Sequence, residues 1–406
     1  MANLKRTLGL WECIFFGVGS ILGAGIYTLI GKVAGMAGNL TWLAFLIASV
    51  IALLTAFSYA ELSAAFPDAG GEYTYIKEAF GKKSGITMGI IVAMTSIISG
   101  STVAFGFAGY FKELININLL AASFAVIALM FIVNVIGIKQ SSGINIILTI
   151  IEISGLFFVI YCAFPTIGNV NYLELPPAGI NGLLMAAALA FFANTGFEKI
   201  VKLAEETKEP EKNIPRALFV SSIVVIVMYT VVAICAISAV SYEELGQSES
   251  PLATIINSKF GKTAAIVIAV IALFSTSNTI LSSMIGSSRV LLDMAKETKF
   301  LKSFSQVSPK HKTPKKALIL IVVLMSAFVF IGNIETIATI TTLFVFTTFI
   351  IINVAVIKLR VTAKNIARPY RIPGNINNIP VLCILSVVMT LVLLGYNIYS
   401  LITRIV

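Results

Sequence analysis

Histidine, net local charge and paired cysteines are what this sequence is shortest of. His311 is the single histidine in 406 residues, so a histidine-based metal site or catalytic dyad is excluded in practice. Charged residues make up 12% of the chain, where an ordinary soluble domain carries roughly 25%. Cys13, Cys162, Cys235 and Cys383 lie inside or at the edges of apolar segments, none at a metal-ligand spacing from another. They read as free thiols, with no disulfide framework. No segment alternates with period two over several strands, which excludes a β-barrel. A small-residue cleavage site is also missing near the N-terminus, where the apolar run continues to about Ile30; this stretch reads as a first span, not a removed signal peptide.

What the chain has is apolar length. It is 58% hydrophobic with a mean hydropathy of +0.96. A bilayer core about 30 Å thick takes roughly 20 apolar residues per helix. Runs bounded by charge, Gly or Pro predict eleven spans, at about 9–35, 39–65, 85–111, 117–137, 143–164, 179–203, 215–240, 262–294, 315–332, 335–357 and 379–403. Between the seventh and eighth, Ser241 to Lys262 is patterned enough to predict short helices across the outer face.

The net charge of +10 would suggest nucleic acid in a soluble protein. Here the basic residues sit in short loops and act as topology signals, and no nucleic-acid partner is expected. With the N-terminus cytoplasmic, 24 of the 29 Lys and Arg fall inside, leaving Lys32, Lys112, Lys259, Lys262 and Arg404 outside. An odd span count then puts the C-terminus outside. The basic stretch from Lys296 to Lys316 reads as an anchor with affinity for anionic lipid.

Two spans are interrupted. The first contains GVGSILGAGIY, with Gly17, Gly19, Gly23 and Gly25, and glycine inside a helix costs about 1 kcal/mol relative to alanine. Close helix packing is the bland alternative, because Gly19 and Gly23 also fit the small-xxx-small pattern. The sixth span, LAFFANTGFEKIVKLAEE, breaks at Asn194-Thr195-Gly196, five spans later, and both breaks follow a Phe-Phe pair. Paired interruptions in two halves point to a transporter site at an inverted-repeat interface. Half-helix N-termini suit a carboxylate and unwound carbonyls suit an ammonium, so a zwitterionic amino acid meets both demands.

These residues carry a resemblance to the amino acid, polyamine and organocation superfamily of permeases, from Leu8 to about Pro380. Its most specific pieces are GVGSILGAGIY, YAELSAAFPDAGGEYTYI, GFEKIVKLAEETKEPEKNIPRAL and SSRVLLDMAKE, and the first three look closest to the cationic amino acid transporter branch and its prokaryotic relatives. The resemblance implies an all-α membrane fold of the LeuT-like 5+5 inverted-repeat type with discontinuous helices one and six. The chain, 1–406, would be one transporter domain: repeat one about 9–165, repeat two about 179–357, and an extra span about 379–403. Family members commonly have twelve spans, against the eleven expected from this sequence.

It implies further that Ser20, Ile21, Leu22, Gly23 and Ala24 offer backbone N–H groups to a substrate carboxylate. Phe191, Phe192 and Ala193 would offer carbonyls to the amine, with the Phe192 ring as a lid, and Asn194 and Thr195 would face the substrate side chain. Thr95 stands where cationic members carry an acid, which weakens the expectation of Lys or Arg as substrate. Glu152 stands near where prokaryotic relatives often carry a Lys.

Glu152 lies nine residues into its span from Gly143, roughly 13.5 Å along a helix and near the bilayer midplane. An ionisable group there is a functional candidate by default. It could exchange a proton in each cycle, the leading reading, or ligate Na⁺ with Ser275 and Thr276; a permanently protonated Glu bonded to a neighbouring helix is the structural alternative. Glu198 is a candidate inner gate. No cofactor is expected beyond a coupling H⁺ or Na⁺. A membrane-embedded enzyme would need a cluster of acids, His or Cys facing one cavity, and a channel would show charge rings or a filter repeat. A non-transporting amino acid sensor would keep the substrate site and lose turnover. The specific substrate, symport versus exchange, and oligomeric state stay open in the sequence.

Overall fold

The computed structural model describes residues 6, 8–67, 71–136, 142–297, 299–306 and 313–405. His311 and part of the basic stretch from 296 to 316 lie outside the described residues. The chain folds as α-helices joined by short connections: α1 (Leu10–Ala37), α2 (Thr41–Ala65), α3 (Gly71–Phe80), α4 (Lys82–Lys112), α5 (Leu119–Ile136) and α6 (Ser142–Ala163) form its first part. There follow α7 (Gly179–Ala190), α8 (Pro210–Ala239), α9 (Tyr242–Gln247), α10 (Pro251–Glu297), α11 (Lys315–Val329), α12 (Ile334–Thr362) and α13 (Val381–Ile405). Two-residue strands β1 (Asn375–Ile376) and β2 (Ile379–Pro380) make a small hairpin before α13.

Among the described residues, eight helical stretches are long and apolar enough to cross a membrane, and one of them, Leu10–Ala65, contains both α1 and α2. Leu119–Val135 is apolar but shorter. The chain is therefore a multi-pass, mostly helical membrane protein. Outward-facing Leu129, Ile147, Phe157, Val227 and Val388 are exposed, as a lipid-facing surface requires, while most of α1 from Ile21 onward is buried. All four cysteines are free and buried.

Local chemistry sets the boundaries. Pro210 opens α8 at a position where its missing N–H costs nothing. Asn333 caps α12 by accepting from Thr336 N at 2.9 Å, and Ser241 caps α9 through Glu244 N at 3.3 Å. The eighth span differs from expectation at its start: helix begins at Pro251 and bends at Gly261, whose φ of +76° only glycine adopts readily. The 251–260 piece and α9 are the short helices expected between the seventh and eighth spans.

The last helix is tied in by polar contacts inside the apolar layer. Thr55 and Ser386 hydroxyls meet at 2.8 Å, Ser58 donates to Asn353 Oδ1 at 2.7 Å, and Thr342 donates to Asn397 Oδ1 at 2.9 Å, joining α2, α12 and α13. At one end of α2, Arg360 holds Glu61 with both Nε and Nη2, Ile372 N donates to the same carboxylate at 2.9 Å, and Arg368 Nε lies 3.5 Å away. This cluster pins the segment between α12 and α13 to α2.

Candidate functional site

Of the four glycines of α1 between residues 17 and 25, Gly23 leaves helical geometry (φ −25°, ψ −148°), splitting the helix into an earlier and a later half. The other three serve close approach. A Cβ on Gly25 would sit 2.5 Å from Ala193 Cα, one on Gly17 would meet Ile200 and come within 2.5 Å of Ser221 Oγ, and one on Gly19 would overlap Thr149. Break and packing, posed as alternatives by the sequence, are both present in one segment.

The sixth span breaks more widely. After α7 the chain tightens into 3₁₀ geometry over Phe191–Asn194, turns at Thr195 and Gly196, and resumes as 3₁₀ helix over Phe197–Glu206. Gly196 has φ +124°, and a Cβ there would overlap the Ser20 carbonyl. The two interruptions therefore touch: Gly196 lies on Ser20, and Ala193 on Gly25.

Their carbonyls converge. Ile21 O and Ala193 O each lie 2.7 Å from the Tyr229 hydroxyl of α8, which bridges the two breaks. One hydroxyl has one proton for two acceptors, whereas an ammonium has three. On the donor side, Ala24 N points to Thr279 Oγ1 at 3.4 Å. Ile21, Leu22, Gly23, Ala24, Phe191, Phe192, Ala193 and Asn194 are buried, and Ser20 and Thr195 half-buried.

A protein-family model for "Amino acid permease" matches residues 8–402. The chain belongs to that family. The branched-chain amino acid permease BcaP of Bacillus subtilis is 28% identical over 97% of this chain and 89% of its own length. Cationic amino acid transporter 1 of Arabidopsis thaliana is 27% identical over 90% of this chain, which spans 65% of that protein. The methylthioribose transporter of Bacillus subtilis is 26% identical over 95% of this chain and 87% of its own length. These relatives are transporters and not enzymes.

The permease places the remaining sequence candidates unevenly. Asn194 spends its side chain on Ser49, which donates to Oδ1 at 2.8 Å, and on Ala190 O at 3.5 Å. Thr195 Oγ1 donates to Phe192 O at 2.7 Å. Both side chains thus stabilise the break itself. Phe191 packs into an aromatic cluster with Phe346 and Phe349, at ring distances of 4.6 and 5.5 Å. Glu198 accepts from Gly196 N at 2.7 Å, capping the start of the 197–206 segment. Thr95 donates back to Ile91 O at 2.9 Å, half-buried on α4; no described hydrogen bond joins it to either break.

Glu152 is buried on α6, and neither carboxylate oxygen has a hydrogen bond of normal geometry. Ser275 on α10 lies beside it with its hydroxyl equally unmatched. Thr276 donates instead to Ala272 O of its own helix at 2.6 Å. Lys199 is within electrostatic reach of both Glu152 and Glu198, and Tyr27 donates to the Glu152 carbonyl at 2.7 Å. Orphaned oxygens of this kind, buried together, suit a proton or a small hard cation. Among the described residues no group of three His, Cys, Asp or Glu side chains could hold a metal ion.

Sequence reasoning missed Tyr229, Thr279 and Ser49. A usable signal existed for the tyrosine, because a phenol inside an apolar helix needs a partner for its hydroxyl. Nothing local told which partner.

Proposed function

We propose that the permease moves amino acids across the plasma membrane by alternating access, with a proton carried inward at Glu152. The observation that carries this reading is the meeting of two helix breaks, where Ile21 O and Ala193 O converge on one donor. Backbone N–H groups from Ser20 to Ala24 would take the substrate carboxylate, and carbonyls of Phe191, Phe192 and Ala193 its amine, with Phe192 as the lid. The arrangement is that of a 5+5 inverted repeat with eleven spans, the N-terminus cytoplasmic and the C-terminus outside. The family relatives named for branched-chain and cationic amino acids support the substrate class. The burial of Glu152 without a partner supports the coupling role.

Na⁺ coupling is the second reading, favoured by the unmatched Ser275 hydroxyl beside Glu152. A panel of amino acids, with methylthioribose as an added arm, tests the substrate class by thermal shift at several pH values with and without Na⁺. Counterflow of labelled substrate in proteoliposomes then separates transport from sensing. Binding without exchange would replace the transporter with a sensor, and pH-independent uptake strictly requiring Na⁺ would replace the proton.

A further inference from the structure

Two sets of contacts close the end of the molecule where α1 begins and the sixth span ends. The first set joins the early half of α1 to the 197–206 segment. Leu8 N donates to Glu206 O at 3.0 Å and Lys208 N to Leu8 O at 2.8 Å, a short parallel ladder; Cys13 Sγ lies 3.4 Å from Thr207 Oγ1, and Ile200 fills the space that Gly17 leaves. Backbone bonds, a side-chain contact and interlocked packing make these two half-helices a single body.

The second set is thin. Helix α3 packs chiefly along α4 and α12, whereas the 197–206 segment packs against α1 and α8, and few contacts link the two groups. Glu72 of α3 reaches across. It is 2% exposed, lies 3.6 Å from Lys202 Nζ on the 197–206 segment, and accepts from the Tyr59 hydroxyl of α2 at 3.4 Å. Both distances are long for a charge-assisted contact.

We infer that Glu72 and Lys202 form a latch across the seam that opens for substrate exit, while the Leu8–Lys208 ladder stays closed throughout. Separating a buried ion pair in a dry interior is costly, because each charge is left without a partner. At a seam the cost is avoided: Lys202 is already 31% exposed, and parting the two groups admits water to Glu72. A bond placed there holds the closed form without trapping it. The ladder, lying within one body, has no such requirement. The inference rests on the alternating-access reading.

Cross-linking tests it. Cysteines at Glu72→Cys/Lys202→Cys, and separately at Leu8→Cys/Thr207→Cys, are placed in a Cys13→Ser background, joined by a short reducible bis-thiosulfonate, and reconstituted. Counterflow of a labelled amino acid mixture is the readout. The 72–202 link is expected to lower counterflow about tenfold or more, restored by reductant, and the 8–207 link to leave it within about twofold. Unchanged exchange through the 72–202 link, or equal block by both links, would overturn the latch. Absence of counterflow in the untreated parent would instead bring down the transport reading itself. If the 72–202 cysteine pair fails to purify, the exchanged pair Glu72→Lys/Lys202→Glu decides. Recovery of at least half the counterflow lost in Glu72→Lys alone supports the latch, and no recovery overturns it.

Discussion

Glu61 and Glu152 are both carboxylates with 2% exposure inside the same apolar protein, and their surroundings are opposite. Glu61 has its oxygens occupied by Arg360, by Ile372 N and, more distantly, by Arg368. Neither oxygen of Glu152 has a hydrogen bond of normal geometry, and the Ser275 hydroxyl is its polar neighbour. A buried charge that is fully paired is a fastening, since any rearrangement would strip it of partners. A buried acid left unmatched is a poor fastening, and it is the arrangement expected of the proposed coupling residue, which a proton or cation would complete. The contrast is the one expected between a scaffold carboxylate and the proposed coupling carboxylate.

The comparison breaks most visibly at Glu61. Glu61→Ala leaves Arg360 buried beside an empty space and should cost about 3–5 kcal/mol, read as a large fall in unfolding temperature in detergent and poor recovery of folded protein. A variant that kept the parent's melting point would show that water satisfies Arg360 and that the cluster is not a fastening.

Gly196→Ala comes next. The positive φ and the overlap of a new Cβ with the Ser20 carbonyl should together cost about 1–3 kcal/mol and force the two breaks apart. Amino acid binding measured by thermal shift should weaken sharply, whereas Gly286→Ala, where a Cβ meets open space, should leave binding unchanged. Equal behaviour of the two variants would detach the site from the contact between breaks.

Tyr229→Phe is milder. Removing one hydroxyl that bridges Ile21 O and Ala193 O forfeits about 0.5–1.5 kcal/mol of stability. Because the hydroxyl holds the carbonyls expected to take an amine, the variant should also alter affinity for amino acids more than for the matching deaminated acids. A parallel change in both would reduce Tyr229 to a packing residue.

How much of this was legible depended on how local each cause was. The spans followed from bilayer thickness and from bounding charge, Gly and Pro, all of which act within a few residues, although the helix expected from about 215 opens earlier, at Pro210. The two breaks were legible because glycine and Asn-Thr-Gly disturb a helix by themselves. The 3₁₀ geometry of 197–206 was not, since a helical period and a slightly tighter one carry the same apolar pattern over ten residues. Nor could the sequence tell that Gly17, Gly19 and Gly25 serve contact and Gly23 the break, because the partners Ile200, Thr149 and Ala193 are more than a hundred residues away. Glu72, read only as part of a family motif, gains its meaning from Lys202 and Tyr59, on elements that the fold alone brings beside it.

The smallest stability effect belongs to Glu152, and it sharpens the comparison most. Glu152→Gln keeps the shape and removes the ability to ionise, and no hydrogen bond of normal geometry is lost; the neighbouring Ser275 hydroxyl can face an amide as readily as a carboxylate. The unfolding temperature should stay level or rise, in direct contrast to Glu61→Ala. Uptake should nevertheless change character. If the proposed coupling holds, accumulation by the parent under an inward proton gradient should weaken as the outside pH rises; in Glu152→Gln it should become flat with pH and lose its concentrating power, while exchange of internal for external amino acid continues. Proteoliposomes with imposed gradients measure both modes on one preparation. Unchanged pH dependence would move the proton to another group, and loss of exchange together with accumulation would mean that Glu152 shapes the substrate site and does not act as a separable coupling element.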